Sequence, residues 1–232
     1  MQKWLDLLID KYSVEKKVVL KDNNTVCVDN TEYPLLPWRS ERRFIELKSL
    51  VDCGDINGIS VMRTLRITNR GTDLVKELYR EFDVAQFLLG TKIVEVFAIG
   101  EEQHAINVIA KTEAGYICTF EMAASLAEDA EIIDKHEIIA ISGVACDRAV
   151  DTQVPQKSLY VYGASATPEA YMDVDFELYG LSLDQCAVVR SAFDVAQTGK
   201  DFTQDVLYLN RLTSAVKTSM ADTVNVVIRE GE

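Results

Sequence analysis

Residues 42–63 read RRFIELKSLVDCGDINGISVMR, and two periodicities meet inside them. From Ser40 to Cys53 the apolar residues Phe44, Leu47, Leu50 and Val51 recur at helical spacing, behind an N-cap residue type at Ser40. Gly54 follows where a left-handed residue closes a helix. Ile59 to Ile67 then reads as a strand. A longer helix is predicted from Thr72 to Leu89, where Leu74, Leu78, Phe82, Ala85 and Leu89 step by three or four before Gly90. Strands dominate downstream: Ile93–Ile99, Ala105–Lys111, Tyr116–Met122, Glu137–Ser142 and Ser158–Tyr162. Ser182 with Gln185, and Asp201 with Gln204, have capping-box spacing and open helices to about Ala196 and Met220. A last strand covers Val224–Ile228. This order predicts an α+β fold: a large, mainly antiparallel open sheet with helices packed on one face.

Upstream, Trp4, Leu7 and Leu8 fit a short amphipathic helix. Val18–Leu20 and Val26–Val28 are β-prone, with turn chemistry at Asp22-Asn23-Asn24 between them. Pro34 and Pro37 mark a composition seam, so residues 1–37 are expected to form a helix-and-hairpin extension and 38–232 the main domain.

The chain has 232 residues, 48% of them apolar, which is enough for a core and excludes general disorder. Its net charge of −13 argues against nonspecific binding to nucleic acid or to an anionic membrane. No apolar stretch is long enough to span a bilayer, and Leu7–Ile9 between Asp6 and Asp10 is too short for a signal-peptide core. The five cysteines, Cys27, Cys53, Cys118, Cys146 and Cys186, are odd in number and far apart. They are expected to be reduced thiols in a cytoplasmic protein.

Several chemistries lack the residues they need. The glycines include no G-x-G pair and none in P-loop spacing, so the chain holds no standard dinucleotide fingerprint and no cofactor is expected. With only His104 and His136, a His-rich metal site is impossible, and both histidines are read first as surface or satisfied sheet positions. Asp173, Asp175 and Glu177 alternate with Val174, Phe176 and Leu178. On a strand the three carboxylates would share one face, as a weak divalent-metal candidate. The same alternation describes a solvated face over buried Val-Phe-Leu, and that reading is preferred. Lys76 and Arg80 are four apart on the long helix, with Glu77 and Glu81 as opposite charges beside them. A salt-bridged helix surface is the simpler expectation there.

The 42–63 stretch resembles the opening of the C-terminal domain of the Gfo/Idh/MocA oxidoreductase family, where a helix runs through a glycine turn into the first strand of the sheet. Arg80-Glu-Phe-Asp83-Val-Ala-Gln-Phe-Leu-Leu-Gly90 resembles the family's "HxxDxxxwllG" helix, and Asp205 to Ser219 with Val224-Asn-Val-Val resembles its last helix and strand. The resemblance covers about residues 38 to 228. It implies an antiparallel sheet whose open face makes oligomers. It also implies that the family's Rossmann domain, with its catalytic lysine, has no counterpart here. Aligned back from Gly90, the family's Asp and His fall at Lys76 and Arg80, and Asp83 keeps the following Asp. A guanidinium stays protonated near neutrality and cannot shuttle a proton.

The expected function is therefore an oxidoreductase-like protein that is non-catalytic alone. It forms a homodimer or homotetramer through the sheet, with Lys76, Arg80 and Asp83 as candidates for a sugar or sugar-acid ligand. The alternative is the substrate-side subunit of a split NAD(P)-dependent enzyme, completed by a Rossmann-domain partner chain.

Overall fold

The computed structural model describes residues 1–147, 159–162, 169–171 and 181–228. The chain divides into two compact units: Met1–Ile45 with the described part of Asp173–Tyr208, and Glu46–Met172 with Leu209–Glu232. The seam expected near residue 37 falls inside the first unit, and a later segment of the chain returns to complete it.

In the first unit, helix α1 (Gln2–Lys11) precedes a three-stranded antiparallel sheet of β1 (Val18–Leu20), β2 (Thr25–Val28) and β3 (Thr31–Pro34). The β1–β2 hairpin is the expected one. The third strand lies where the sequence suggested only a seam. It is made by a two-residue turn in which Asp29 and Asn30 both take left-handed backbone, with φ of 50° and 69°. That geometry matches the twist of a hairpin and suits Asp and Asn. Pro34 is tolerated because it ends an edge strand. A 3-10 turn (Pro37–Ser40) leads to α2 (Arg42–Asp52).

Helix α4 (Leu183–Thr198) completes this unit's core. Its Val188, Val189, Ala192, Val195 and Ala196 cluster with Leu5, Val18, Val26, Val28 and Leu35. The capping box at Ser182 and Gln185 is formed as expected, and Gly199 closes the helix at φ 72°. Lys16 Nζ donates to Ala196 O at 2.7 Å, a cation placed where the helix dipole favours one.

The second unit is built on a nine-stranded sheet. Its strands are β4 (Ile59–Asn69), β5 (Ile93–Glu101), β6 (Ala105–Thr112), β7 (Ile117–Leu126), β8 (Ile133–Ala140), β9 (Gly143–Cys146), β10 (Leu159–Tyr162), β11 (Glu169–Tyr171) and β12 (Val226–Val227). Their order is β11-β10-β9-β8-β4-β7-β6-β5-β12. Among the described residues only the β4–β7 pair is parallel, so the sheet is mainly antiparallel. Period-2 alternation turns Met62, Val96, Val108, Phe120 and Ile138 to one buried face. Helix α3 (Leu74–Leu89) lies on that face, and its predicted stripe of Leu74, Leu78, Phe82, Ala85 and Leu89 is buried throughout. Phe82 meets Phe120 edge to face, with ring centroids 4.9 Å apart. The helix starts at Leu74 because Asp73, not Thr72, is its cap: the Asp73 carboxylate accepts from the amides of Val75 and Lys76.

The predicted strand Glu137–Ser142 is the second half of β8, which begins earlier, at Ile133, and ends at Ala140; Ile141 and Ser142 then turn the chain into β9, a strand that was not predicted. The charged start of β8 hid its pattern, for a reason given in the next section. Helix α5 (Thr203–Asp222) leads to the edge strand β12. The Ser219 hydroxyl accepts from Ala98 N–H at 2.9 Å and donates to Val224 O at 2.6 Å, which fixes the approach of β12 to β5. Among the described residues no helix is long and apolar enough to cross a membrane.

A single side chain guards the free edge of the small sheet. The Gln2 amide donates to Val18 O at 3.1 Å and accepts from Leu20 N–H at 2.8 Å, so it imitates a neighbouring strand along β1. Gln2→Ala should lower unfolding free energy by about 1–2 kcal/mol, the usual worth of two such bonds. It should also speed hydrogen exchange at the Leu20 amide. Urea denaturation and amide exchange measure the two effects.

Candidate functional site

The second unit hides a charged cluster on the core side of its sheet. Counting inward along β4 from Met62 by twos reaches Thr64, Arg66 and Thr68, all buried. An arginine on a core face must find carboxylates, because an unpaired buried charge costs several kcal/mol. Arg66 finds three. Its Nε donates to Glu77 Oε2 at 2.6 Å and lies 3.7 Å from Glu81 Oε1, and its Nη1 donates to Asp134 Oδ2 at 3.0 Å. Register supplies the last of these, since Arg66 and Asp134 are cross-strand partners on β4 and β8.

Two residues along β8 the same inward face presents His136, wholly buried. Its Nδ1 is 2.6 Å from Asp147 Oδ2 and its Nε2 is 2.7 Å from Glu81 Oε2. The His136 backbone N–H donates to the other Asp147 oxygen at 2.7 Å. Two carboxylates against the two ring nitrogens are best satisfied by an imidazolium donating at both ends. Burial alone would depress the His136 pKa. The charges of Asp147 and Glu81 outweigh burial and raise it to about 9. Burial likewise opposes the charge on Glu81, but Arg80, His136 and Arg66 together hold its pKa down to about 2. Beside the imidazole, the buried Thr64 hydroxyl has no hydrogen-bond partner among the described residues.

The residues singled out from sequence fall into separate surroundings. Arg80 is 14% exposed and turned into the cluster, where it bonds Glu81 and lies 3.8 Å from Asp134. Lys76 is 83% exposed and 3.6 Å from Asp73. Asp83 is fully buried on α3. The three therefore do not converge on one surface. His104 is 75% exposed and lies 3.9 Å from Glu101, a surface position of the kind expected. His136 is the satisfied sheet histidine. Asp173, Asp175 and Glu177 lie outside the described residues.

The sequence reading assigned Glu81 to the helix surface as a partner of Arg80. The pairing is present, but on the buried side. Arg66, Asp134 and Asp147 escaped it. One signal was available: the inward count along β4 places Arg66 on the core face, which demands acidic neighbours. The identity of one of those neighbours, Asp134, depends on strand register across 68 residues, which leaves no local trace.

Chemically the cluster is a cross-link, and the His136 and Glu81 side chains have no exposed surface. The bonds tie α3 to β8 and to the residue that ends the β8–β9 hairpin.

This cross-link carries a pH signature. His136 binds its proton more tightly folded, at about 9, than unfolded, near 6.5. Its contribution is complete below about pH 6.5 and is lost as pH rises through 9. Glu81 has the opposite dependence: its contribution is complete above about 4.5 and is lost as pH falls toward 2. Stability should therefore be greatest between roughly pH 4.5 and 6.5 and fall by on the order of 3 kcal/mol toward pH 10. His136→Gln should destabilise the protein and flatten that alkaline decline. Urea unfolding across pH, for both proteins, checks it.

No family model matches the chain, and no curated protein matches it by sequence. Solved structures do match. An oxidoreductase domain protein from Kribbella flavida superposes with TM-score 0.66 at 17% identity, over 84% of this chain and 66% of that one. An aldose-aldose oxidoreductase from Caulobacter crescentus, complexed with glycerol, gives 0.62 at 15% identity, over 83% and 62%. A scyllo-inositol dehydrogenase from Lactobacillus casei, with bound NAD(H) and scyllo-inositol, gives 0.59 at 18% identity, over 83% and 63%. The chain spans somewhat less than two thirds of the length of each. At these identities the likeness is one of fold: the chain carries the α+β sheet architecture of the Gfo/Idh/MocA oxidoreductases.

Proposed function

We propose that this chain is a non-catalytic, self-associating protein that uses the open face of its large sheet to join copies into a homodimer or homotetramer. The observation that carries this reading is the apolar strip on that face. Ile109 on β6 is 54% exposed and Ile99 on β5 is 49% exposed. Phe97 is the cross-strand partner of Ile109, so the three form one strip across adjacent strands. Charges of both signs lie on the same face: Arg63 is 3.8 Å from Glu121 and 3.7 Å from Glu137, and Lys135 Nζ donates to Glu137 at 2.5 Å. An apolar strip beside mixed charges suits an isologous contact, in which each copy meets the same patch on the other.

The non-catalytic part of the reading is supported by the long helix. Arg80, which the resemblance aligns with a proton-transferring histidine, is held by Glu81 and near Asp134. The chain's glycine spacing holds no dinucleotide loop. If a sugar acid binds at α3, Lys76 is the exposed cation that meets it and Arg80 is drawn on only at the expense of its acidic partners.

Ile109→Asp should convert the assembly to monomer without unfolding it, because the side chain is exposed in the isolated chain. Light scattering after size exclusion reads the mass. A wild-type monomer at tens of micromolar overturns the proposal. The split-enzyme reading draws on the fold shared with solved oxidoreductases. Affinity purification from the native cell tests it, and a stoichiometric Rossmann-domain chain in the complex would replace the non-catalytic reading.

A further inference from the structure

The first unit contains a cavity of about 150 Å³ that the oxidoreductase-like sheet has no part in. Its walls come from α1, through Leu8 and the C-cap residue Tyr12, and from α4, through Val189 and Phe193 four residues on. Leu181, just before α4, adds a further apolar side. The Tyr12 and Phe193 rings lie 5.3 Å apart at 49°, and Tyr12 is half exposed, so the cavity opens beside the phenol. Among the described residues that line the cavity, Arg190 is the charged one. Its Nη1 donates to Ser40 O at 3.3 Å, which anchors the guanidinium against the 3-10 turn.

We propose that this cavity binds a small apolar acid of about benzoate size, with its hydrocarbon body among Leu8, Leu181, Val189 and Phe193 and its carboxylate on Arg190. The volume sets the size, since a cavity of about 150 Å³ lined by apolar side chains accepts one benzene ring. The wall chemistry excludes a sugar, which needs a polar partner for nearly every hydroxyl. The guanidinium selects the charge: an arginine offers paired donors that match a carboxylate, and an apolar surround strengthens that bond. Tyr12 supplies a flat amphipathic lip, able to cover an aromatic body while its hydroxyl stays in water. This site is independent of the assembly proposed for the sheet, so either can fail without the other.

The test uses the intact protein with its Leu and Val methyl groups isotopically labelled, titrated with sodium benzoate and, separately, with benzyl alcohol. Benzoate should shift the Leu8, Leu181 and Val189 methyl signals saturably. Benzyl alcohol, of similar shape without the charge, should bind at least tenfold more weakly. Arg190→Gln should weaken benzoate by about tenfold or more, the usual share of a charge-assisted hydrogen bond, and leave benzyl alcohol unchanged. Val189→Phe should fill the cavity and abolish both. If that variant fails to fold, Leu8→Phe, at a half-buried position, fills the same space. Absent or non-saturating shifts at these methyls overturn the site. Equal affinity for the two probes, or an Arg190→Gln protein that keeps benzoate affinity, overturns the acid as its ligand.

Discussion

An imidazolium between two carboxylates, wholly inside the protein, constrains how the large sheet and its helix are built. His136 makes sense on a core face only with Asp147 at one nitrogen and Glu81 at the other. Glu81 in turn is tolerable at zero exposure only with Arg80, Arg66 and His136 around it. Removing His136 takes away the partner that Asp147 and Glu81, both buried, share, and breaking a buried pair from one side costs more than the intact pair contributes. The arrangement also constrains geometry. It sets the rotation of α3 against β8 and the register of β8 on β4, because a one-residue slip would turn Arg66 and His136 away from their acids.

That constraint explains how the two faces of the sheet differ. The inner face combines apolar packing, such as the Phe82–Phe120 contact, with one closed electrostatic cluster. The outer face carries looser, partly solvated pairs about Arg63 and an apolar strip of exposed Ile99 and Ile109 beside half-buried Phe97. A buried network fixes geometry, whereas exposed apolar surface beside flexible charges is suited to recognition. The proposed division of labour follows: the inside of the sheet holds the fold, and the outside meets another copy.

The first unit follows a different logic. Its small sheet and α1 would be too slight to hold a core alone. Val188, Val189, Ala192 and Val195 of α4 supply the missing apolar face, and Lys16 and Arg190 pin the helix to the segment on which it packs. The cavity between α1 and α4 is a place where this packing is incomplete, and it is the incompleteness that leaves space for a ligand.

Much of this was legible in the sequence. Helix α3 follows from a 3.6-residue stripe ending at Gly90, and α4 from the Ser182 and Gln185 box, because caps and amphipathic stripes involve residues within a few positions of one another. The lack of a dinucleotide loop follows from glycine spacing alone. The mainly antiparallel sheet followed from the order of strands between α3 and α4. Other features were not legible. The start of β8 carries Asp134, Lys135 and His136, so its inward alternation reads as polar until Arg66 is known to lie opposite. The β2–β3 turn was obscured by Pro34, which looks like a breaker until the strand is seen to be an edge. Pairing of α4 with the N-terminal element joins Leu5 to residues far along the chain, a contact set by burial and not by local pattern. Sequence determined which segments form helices and strands, since those choices rest on neighbours three or four positions away. Only the tertiary structure decided which charges are buried together and which surface is left open, since both depend on residues that meet through folding alone.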